Sequence, residues 1–190
     1  MLNKRFGIDI DGTVTSPSTF IPYLNKSFDL SLTLEDITEY DLVPIVKVPE
    51  QELANWFLKN EAEIYENAPL AEQAKDVLVD WGKKHELVFI SARHDALLDV
   101  TKKWFNNHEI AYNHIDLIGS HNKIEAAKTY DIDVFFEDKH DNACDISEEC
   151  NIPVLLFDTP YNRLPTPKNV VRVYNWAEAN DWIQSWLKTQ

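Results

Sequence analysis

Apolar residues fall on alternate positions near the start of the chain. Phe6, Ile8 and Ile10 alternate within Lys4–Ile10, the period of a strand that buries one face. Short apolar runs of strand length follow at Glu86–Ser91 (ELVFIS), Asp133–Glu137 (DVFFE), Ile152–Phe157 (IPVLLF) and Val170–Tyr174 (VVRVY), with a weaker one at His114–Gly119 (HIDLIG). Helical spacing fills the intervals. Leu70, Ala74, Val77, Leu78 and Trp81 form one stripe over 69–84, and Leu97, Leu98, Thr101, Trp104 and Phe105 another over 94–108. A short helix is expected over 122–130, and a last one over 176–188 with Trp182, Trp186 and Leu187 inward. Strands alternating with helices predict an α/β fold built of right-handed βαβ units around a parallel sheet. In such sheets ligands bind outside the carboxyl ends of the strands.

One segment breaks the alternation. Residues 16–68 hold no core strand, and fifty residues is too long for a plain connection. The segment opens on Ser16-Pro17-Ser18. Thr33, with Asp36 three residues on, reads as a helix start. A helix over about 49–66 then carries Leu53, Trp56 and Phe57 on one side. The expected organisation is an α/β core from 1–15 and 69–190, with 16–68 as a small helical cap over the active edge of the sheet.

Composition narrows the function classes. The 190 residues are 44% hydrophobic and carry a net charge of −14. That is too apolar for disorder, and long enough to bury a core without staples. Six Trp, seven Tyr and nine Phe against one Met favour a rigid aromatic core or pocket. The acidic balance argues against a nucleic-acid polymer or an anionic membrane as partner, since both favour clustered Lys and Arg. The apolar stretch behind Met1–Arg5 is interrupted by Asp9 and Asp11, so no secretory signal is expected. The longest apolar run, Ile152–Phe157, is far short of a membrane span. Cys144 and Cys150 lack CxxC spacing and fit reduced thiols in a cytoplasmic protein.

The strand ends carry the chemistry. The first strand closes with Asp9-Ile10-Asp11-Gly12-Thr13, two carboxylates on one side of a strand followed by a sharp exit. Paired like charges need a proton or a cation, and Mg²⁺ suits one or two carboxylates plus a substrate phosphate. The position of Gly12 does not fit an EF-hand, and His94, His121 and His140 show no zinc spacing. Ser91 ends the second strand, where a hydroxyl and a helix start can meet a phosphate or simply cap the helix. Lys123 lies at the start of the 122–130 helix. Glu137-Asp138, with Asp141, brings further carboxylate to the same edge.

In this order the residues resemble the haloacid dehalogenase (HAD) superfamily of phosphotransferases. DIDGT at 9–13 looks like its first motif, Ser91 its second, Lys123 its third, and Glu137-Asp138 with Asp141 its fourth. The fold implied is a Rossmann-like HAD core with a central parallel sheet flanked by helices and a small helical cap after the first strand. The short cap, EDKHDN at 137–142 and Asp158-Thr159-Pro160-Tyr161-Asn162 are similar to the 5′(3′)-deoxyribonucleotidase family.

The resemblance implies Asp9 as nucleophile and Asp11 as general acid and base, with Thr13 accompanying it. Ser91 and Lys123 would hold phosphoryl oxygens. Mg²⁺ would be held by Asp9, the Asp11 carbonyl and Asp138, with Glu137, which stands where the family has aspartate, as an outer or second ligand. Bases stack on aromatic rings, and Phe20 and Tyr23 are the better pocket candidates. Trp56 and Phe57 read as the cap's own core. Arg93, placed near the surface after a helix cap, could reach a phosphate or a base. The expected substrate is a small phosphate ester, foremost a nucleoside monophosphate, with sugar phosphates as the rival class and a non-catalytic acidic binder as the other. A homodimer is left open.

Overall fold

A computed structural model describes residues 3–190. Residues 1 and 2, within the first expected core segment, lie outside the described residues. Six strands form one parallel sheet: β1 (Arg5–Ile8), β2 (Glu86–Ser91), β3 (His114–Leu117), β4 (Val134–Glu137), β5 (Val154–Phe157) and β6 (Val170–Val173). Their spatial order is β3-β2-β1-β4-β5-β6. The chain builds outward from β1 through β2 to β3, then crosses back to lay β4 on the other side of β1. That reversal leaves a crevice at the carboxyl ends of β1 and β4, where open α/β sheets bind ligands.

Both faces of the sheet are covered, which explains why the strands read as near-continuous apolar runs. Phe6 and Ile8 of β1 and Phe136 of β4 pack on one face against Trp81, Trp104 and Trp176, all buried. Val88 and Ile90 of β2, Phe135 and Leu156 pack on the other against Ile146. The first layer includes α4 (Ala74–Trp81), α5 (Leu98–Asn107) and α8 (Trp176–Trp186), and the second α6 (Ile124–Thr129) and α7 (His140–Cys150).

Several expected boundaries move for local reasons. The 69–84 helix shortens because Leu70 pairs with Thr15 in an antiparallel bridge and Gln73 takes a left-handed conformation. On α8 the inward residues are Trp176, Ala179 and Ile183. Trp182, Trp186 and Leu187, expected inward, are half-buried and pack against the edge of the same core, the two Trp rings stacked at 5.9 Å between centroids. Of the two cysteines, neither forms a disulfide. Among the described residues no helix is long and apolar enough to cross a membrane.

Between β1 and β2 the chain forms α1 (Ile21–Phe28), α2 (Val43–Val46) and α3 (Glu50–Glu66). The Thr33–Asp36 capping box closes only a single 3₁₀ turn, Leu34–Asp36. These elements have a small cluster of their own, with Leu24, Val46 and Leu53 buried and Trp56 and Phe57 packed on it. α3 also rests on α5 of the sheet layer.

Candidate active site

The site begins where β1 ends. The Asp9 amide donates to the Phe136 carbonyl at 2.9 Å, so the exit of β1 is tied to β4 beside it. Gly12 then turns the chain with φ of +79°, and its amide donates to Thr15 Oγ1 at 3.2 Å. A side chain at this position would be strained by the backbone angle and would run into the Asp138 carboxylate and the Tyr161 hydroxyl. Gly12→Ala is therefore expected to cost about 1–2 kcal/mol and to displace Asp138. Thermal unfolding of the variant checks the first part, and a crystal structure the second.

Three carboxylates converge at the crevice. One oxygen each of Asp9, Glu137 and Asp138 lies within 4.8 Å of the others, and all three residues are buried. Lys123, at the start of α6, sends its ammonium between Asp9 and Glu137, donating to Asp9 Oδ1 and to Glu137 Oε2, the latter at 2.8 Å. Its side chain is 1% exposed. Glu137 Oε1 also accepts the Asp138 and Lys139 amides at 3.1 Å each. Asp138 accepts the Tyr161 hydroxyl. Its backbone carbonyl accepts from Asn162 Nδ2 at 2.6 Å, and Arg172 on β6 holds the other end of that amide at 2.6 Å.

The charges do not balance, which tells the acids apart. Burial pushes Asp9 up to about 7, although the Lys123 ammonium pulls it down. Burial, then Asp9 and Glu137, raise Asp138 well above the carboxylate range. Glu137 is also pushed up by burial, but Lys123 and its hydrogen bonds outweigh this and leave it lowered. Lys123 is raised because Asp9 and Glu137 outweigh its own burial. One ammonium satisfies Glu137 and part of Asp9, so Asp9 and Asp138 favour the protonated form and would carry surplus negative charge once ionised. An oxygen set with surplus negative charge suits a hard divalent cation. Asp141, expected at this edge, points outward from α7 with a side chain 77% exposed and pairs with His140.

The other expected residues divide. Ser91 is buried, lines the cavity, and accepts the Arg93 amide at 3.2 Å. Thr13 is fully buried, and its hydroxyl has no partner among the described residues. Arg93 is not a surface residue. Its guanidinium holds Asp11 at 2.9 and 2.7 Å and Thr101 Oγ1 at 2.9 Å, so its polar atoms face those groups. The Asp11 carboxylate accordingly stands apart from the three-acid cluster.

A cavity of about 470 Å³ opens above these groups. Asp9, Asp11, Ser91, Lys123 and Asp138 line its floor, while Phe20, Leu24, Leu53, Phe57 and Tyr65 line the side formed by residues 16–68. Phe20 packs edge-on to Phe57 and Tyr65 at 5.3 and 5.8 Å. Phe57 thus belongs both to the helical cluster and to the cavity wall. Tyr23 is half-buried and does not line the cavity. Ile21 and Leu24 share one face of α1, and Tyr23 lies about 100° round from Leu24.

Sequence reasoning missed the support given by Tyr161, Asn162 and Tyr40. Tyr40 touches His121 and Tyr161 edge-on at 5.4 and 5.9 Å, joining the helical segment to the core at the cavity mouth. Tyr161 and Asn162 stood in the sequence only as part of the Asp158–Asn162 stretch that carries the family resemblance, with no role assigned. The signal for a supporting role is that they follow the apolar strand β5, where polar side chains need buried partners.

Comparison with known proteins bears on the whole chain. Residues 3–189 match the model of the family described as 5′ nucleotidase, deoxy (pyrimidine), cytosolic type C protein. A protein of Halalkalibacterium halodurans, provisionally named a nucleotidase, is 53% identical over 97% of this chain and 95% of its own length. A nucleotidase of Clostridium acetobutylicum is 34% identical over 90% of this chain and 88% of its own. Among solved structures, a haloacid dehalogenase-like hydrolase of Streptococcus pneumoniae matches with a TM-score of 0.64 at 14% identity, covering 95% of this chain and 98% of that one. A HAD hydrolase of Bacillus subtilis solved with magnesium matches with a TM-score of 0.62 at 10% identity, covering 96% and 99%.

Proposed function

The chain belongs to the cytosolic type C 5′-nucleotidase family, as a phosphomonoester hydrolase with the HAD fold, and on that premise we propose that it is a Mg²⁺-dependent 5′-nucleotidase acting on (deoxy)nucleoside monophosphates through a phosphoryl group carried on Asp9. The observation that carries the reading is Asp9 itself: a buried carboxylate held by Lys123 on the floor of a cavity whose opposite wall is aromatic. Such a cavity offers one end to a phosphoryl group and the other to a base. A sugar phosphate would leave Phe20 and Phe57 with no aromatic base to stack on. Residues 16–68 act in this reading as the cap over the leaving group. A cytoplasmic setting is part of the reading and is supported by the free thiols of Cys144 and Cys150.

Asp9 and Asp138, with the Asp11 carbonyl, would hold the metal. Glu137 is engaged by Lys123 and two amides, which favours an outer position for it. When bound, Mg²⁺ supplies the charge that lets a carboxylate approach a phosphate dianion. Lys123 keeps one Asp9 oxygen in place, so the other is presented to phosphorus. Asp9 attacks, the bond from phosphorus to the ester oxygen breaks, and Asp11 gives that oxygen a proton. Water then gives its proton to Asp11 and attacks phosphorus, releasing Asp9. General acid and base help of this kind is worth about 10²–10⁴-fold. Ser91 and Lys123 hold the phosphoryl oxygens, and positioning with electrostatics is most of this chemistry.

A panel of phosphate esters, run with Mg²⁺ and with EDTA, tests the reading. Deoxynucleoside monophosphates are expected to lead the panel, with sugar phosphates well behind and activity lost in EDTA. Mg²⁺ is also expected to raise the melting temperature of the wild type but not of Asp138→Asn. Turnover undiminished in EDTA would remove the metal from the mechanism.

A further inference from the structure

Asp11 makes all its side-chain hydrogen bonds, among the described residues, to one group. Both carboxylate oxygens accept from Arg93, Oδ2 from Nε at 2.9 Å and Oδ1 from Nη2 at 2.7 Å. This is the paired geometry that fixes the plane of a carboxylate as well as its place. Arg93 is itself fixed. Its side chain is 1% exposed, Nη1 donates to the buried Thr101 on α5, and the ring of Tyr65 near the end of α3 lies 3.8 Å from the guanidinium carbon. Asp11, by contrast, sits beside the left-handed Gly12 with its side chain 25% exposed. Packing alone does not hold it.

We infer that Arg93 is a positioning residue for Asp11. Clamped between Thr101 of the core and Tyr65 of the helical segment, it aims the Asp11 carboxyl at the ester oxygen and couples that aim to the seating of α3. The inference rests on the reading of Asp11 as the acid and base. In the first half-reaction the Asp11 proton passes to the leaving oxygen as phosphorus exchanges its bond to that oxygen for one to the Asp9 carboxylate. In the second, a water proton passes to Asp11 as the water oxygen displaces Asp9. Each transfer needs one carboxyl oxygen within hydrogen-bond reach of its partner, and Arg93 takes one lone pair on each oxygen, which leaves the other for the transfer while the clamp keeps the orientation. Lysine cannot replace the planar fork.

Leaving-group dependence tests this. p-Nitrophenolate departs without a proton, whereas a nucleoside alkoxide needs one. In single-turnover experiments Arg93→Met should slow phosphorylation of the enzyme by a deoxynucleoside monophosphate by about 10²-fold. KM should be little changed. Phosphorylation by p-nitrophenyl phosphate should slow far less, and phosphoryl-enzyme should accumulate because its hydrolysis still needs Asp11 as base. Arg93→Lys should recover only a small part of the nucleotide rate. Should Arg93→Met fold poorly, Thr101→Val, nearly equal in shape, should show the same leaving-group bias at smaller size. A higher KM with an unchanged rate constant would make Arg93 a substrate contact and overturn the inference. Equal losses for both esters would reduce it to a structural residue. A wild type that forms no phosphoryl-enzyme would instead sink the underlying mechanism, so the two failures are distinct.

Discussion

Asp9→Asn is expected to lower kcat on phosphate esters by about 10⁴–10⁶-fold, the size of loss seen when a nucleophile is removed from a site whose parts act together. The amide matches the carboxylate in shape but cannot attack phosphorus. It also removes a group that burial has pushed up to about 7, so folding does not suffer from losing that charge. Lys123 keeps Glu137 as partner at 2.8 Å, and the Asp9 amide keeps its bond to the Phe136 carbonyl. The melting temperature should therefore stay within a few degrees of wild type. Steady-state kinetics and calorimetry on the same preparation check both halves. A variant with wild-type kcat would show that another group attacks.

Lys123→Met is expected to damage fold and activity together. Among the described residues the ammonium is the one cation placed between Asp9 and Glu137, with all three side chains at most 7% exposed. Removing one partner from a buried ion pair costs about 3–5 kcal/mol, because the charge left behind has lost both water and partner. In a chain of this size that is a fall of roughly 6–20 °C in melting temperature. kcat should fall at least about 10²-fold, since an unanchored Asp9 must be oriented anew at each turnover. Lys123→Arg separates the effects: charge is retained and stability should largely return, but the bulkier head cannot reach both oxygens and kcat should stay low. Thermal melts and kinetics of the pair check this. A methionine variant as stable as wild type would show that the acids are satisfied by something other than Lys123.

Much of this site is legible in the sequence because its residues sit at strand ends. A strand reads from a short apolar run, and the parallel sheet follows from alternation with helices. The place of Asp9, Ser91 and Glu137-Asp138 at one edge of the sheet then follows from where each run stops, and the roles proposed for them come from the family resemblance. α7 was harder to read. Its eleven residues are mostly polar, and only Ala143, Ile146 and the half-buried Cys150 mark its inner face. α1 is eight residues long, with Pro22 in its first turn and a left-handed Asp29 at its end in place of side-chain caps.

Partnerships across long sequence separations left no local signal. Arg93 meets Asp11 over 82 residues and Lys123 meets Asp9 over 114. Nothing near Arg93 distinguishes a buried clamp from a surface residue after a helix cap. Tyr23 failed as a wall residue for a related reason: closeness in sequence to the first motif does not set which face of α1 it occupies. The net charge of −14 pointed away from anionic polymers; in the proposed function it is compatible with a phosphate ester because the buried acids surround one lysine and would take up a cation.

The central claim is that phosphate passes through Asp9. Rapid acid quenching during turnover of a deoxynucleoside monophosphate with Mg²⁺, followed by peptide mapping by mass spectrometry, tests it directly. The account predicts one added phosphoryl group on the peptide containing Asp9, labile to hydroxylamine and absent from Asp9→Asn. Full turnover with no phosphoryl group on Asp9 at any quench time, or with the group on another residue, would contradict it.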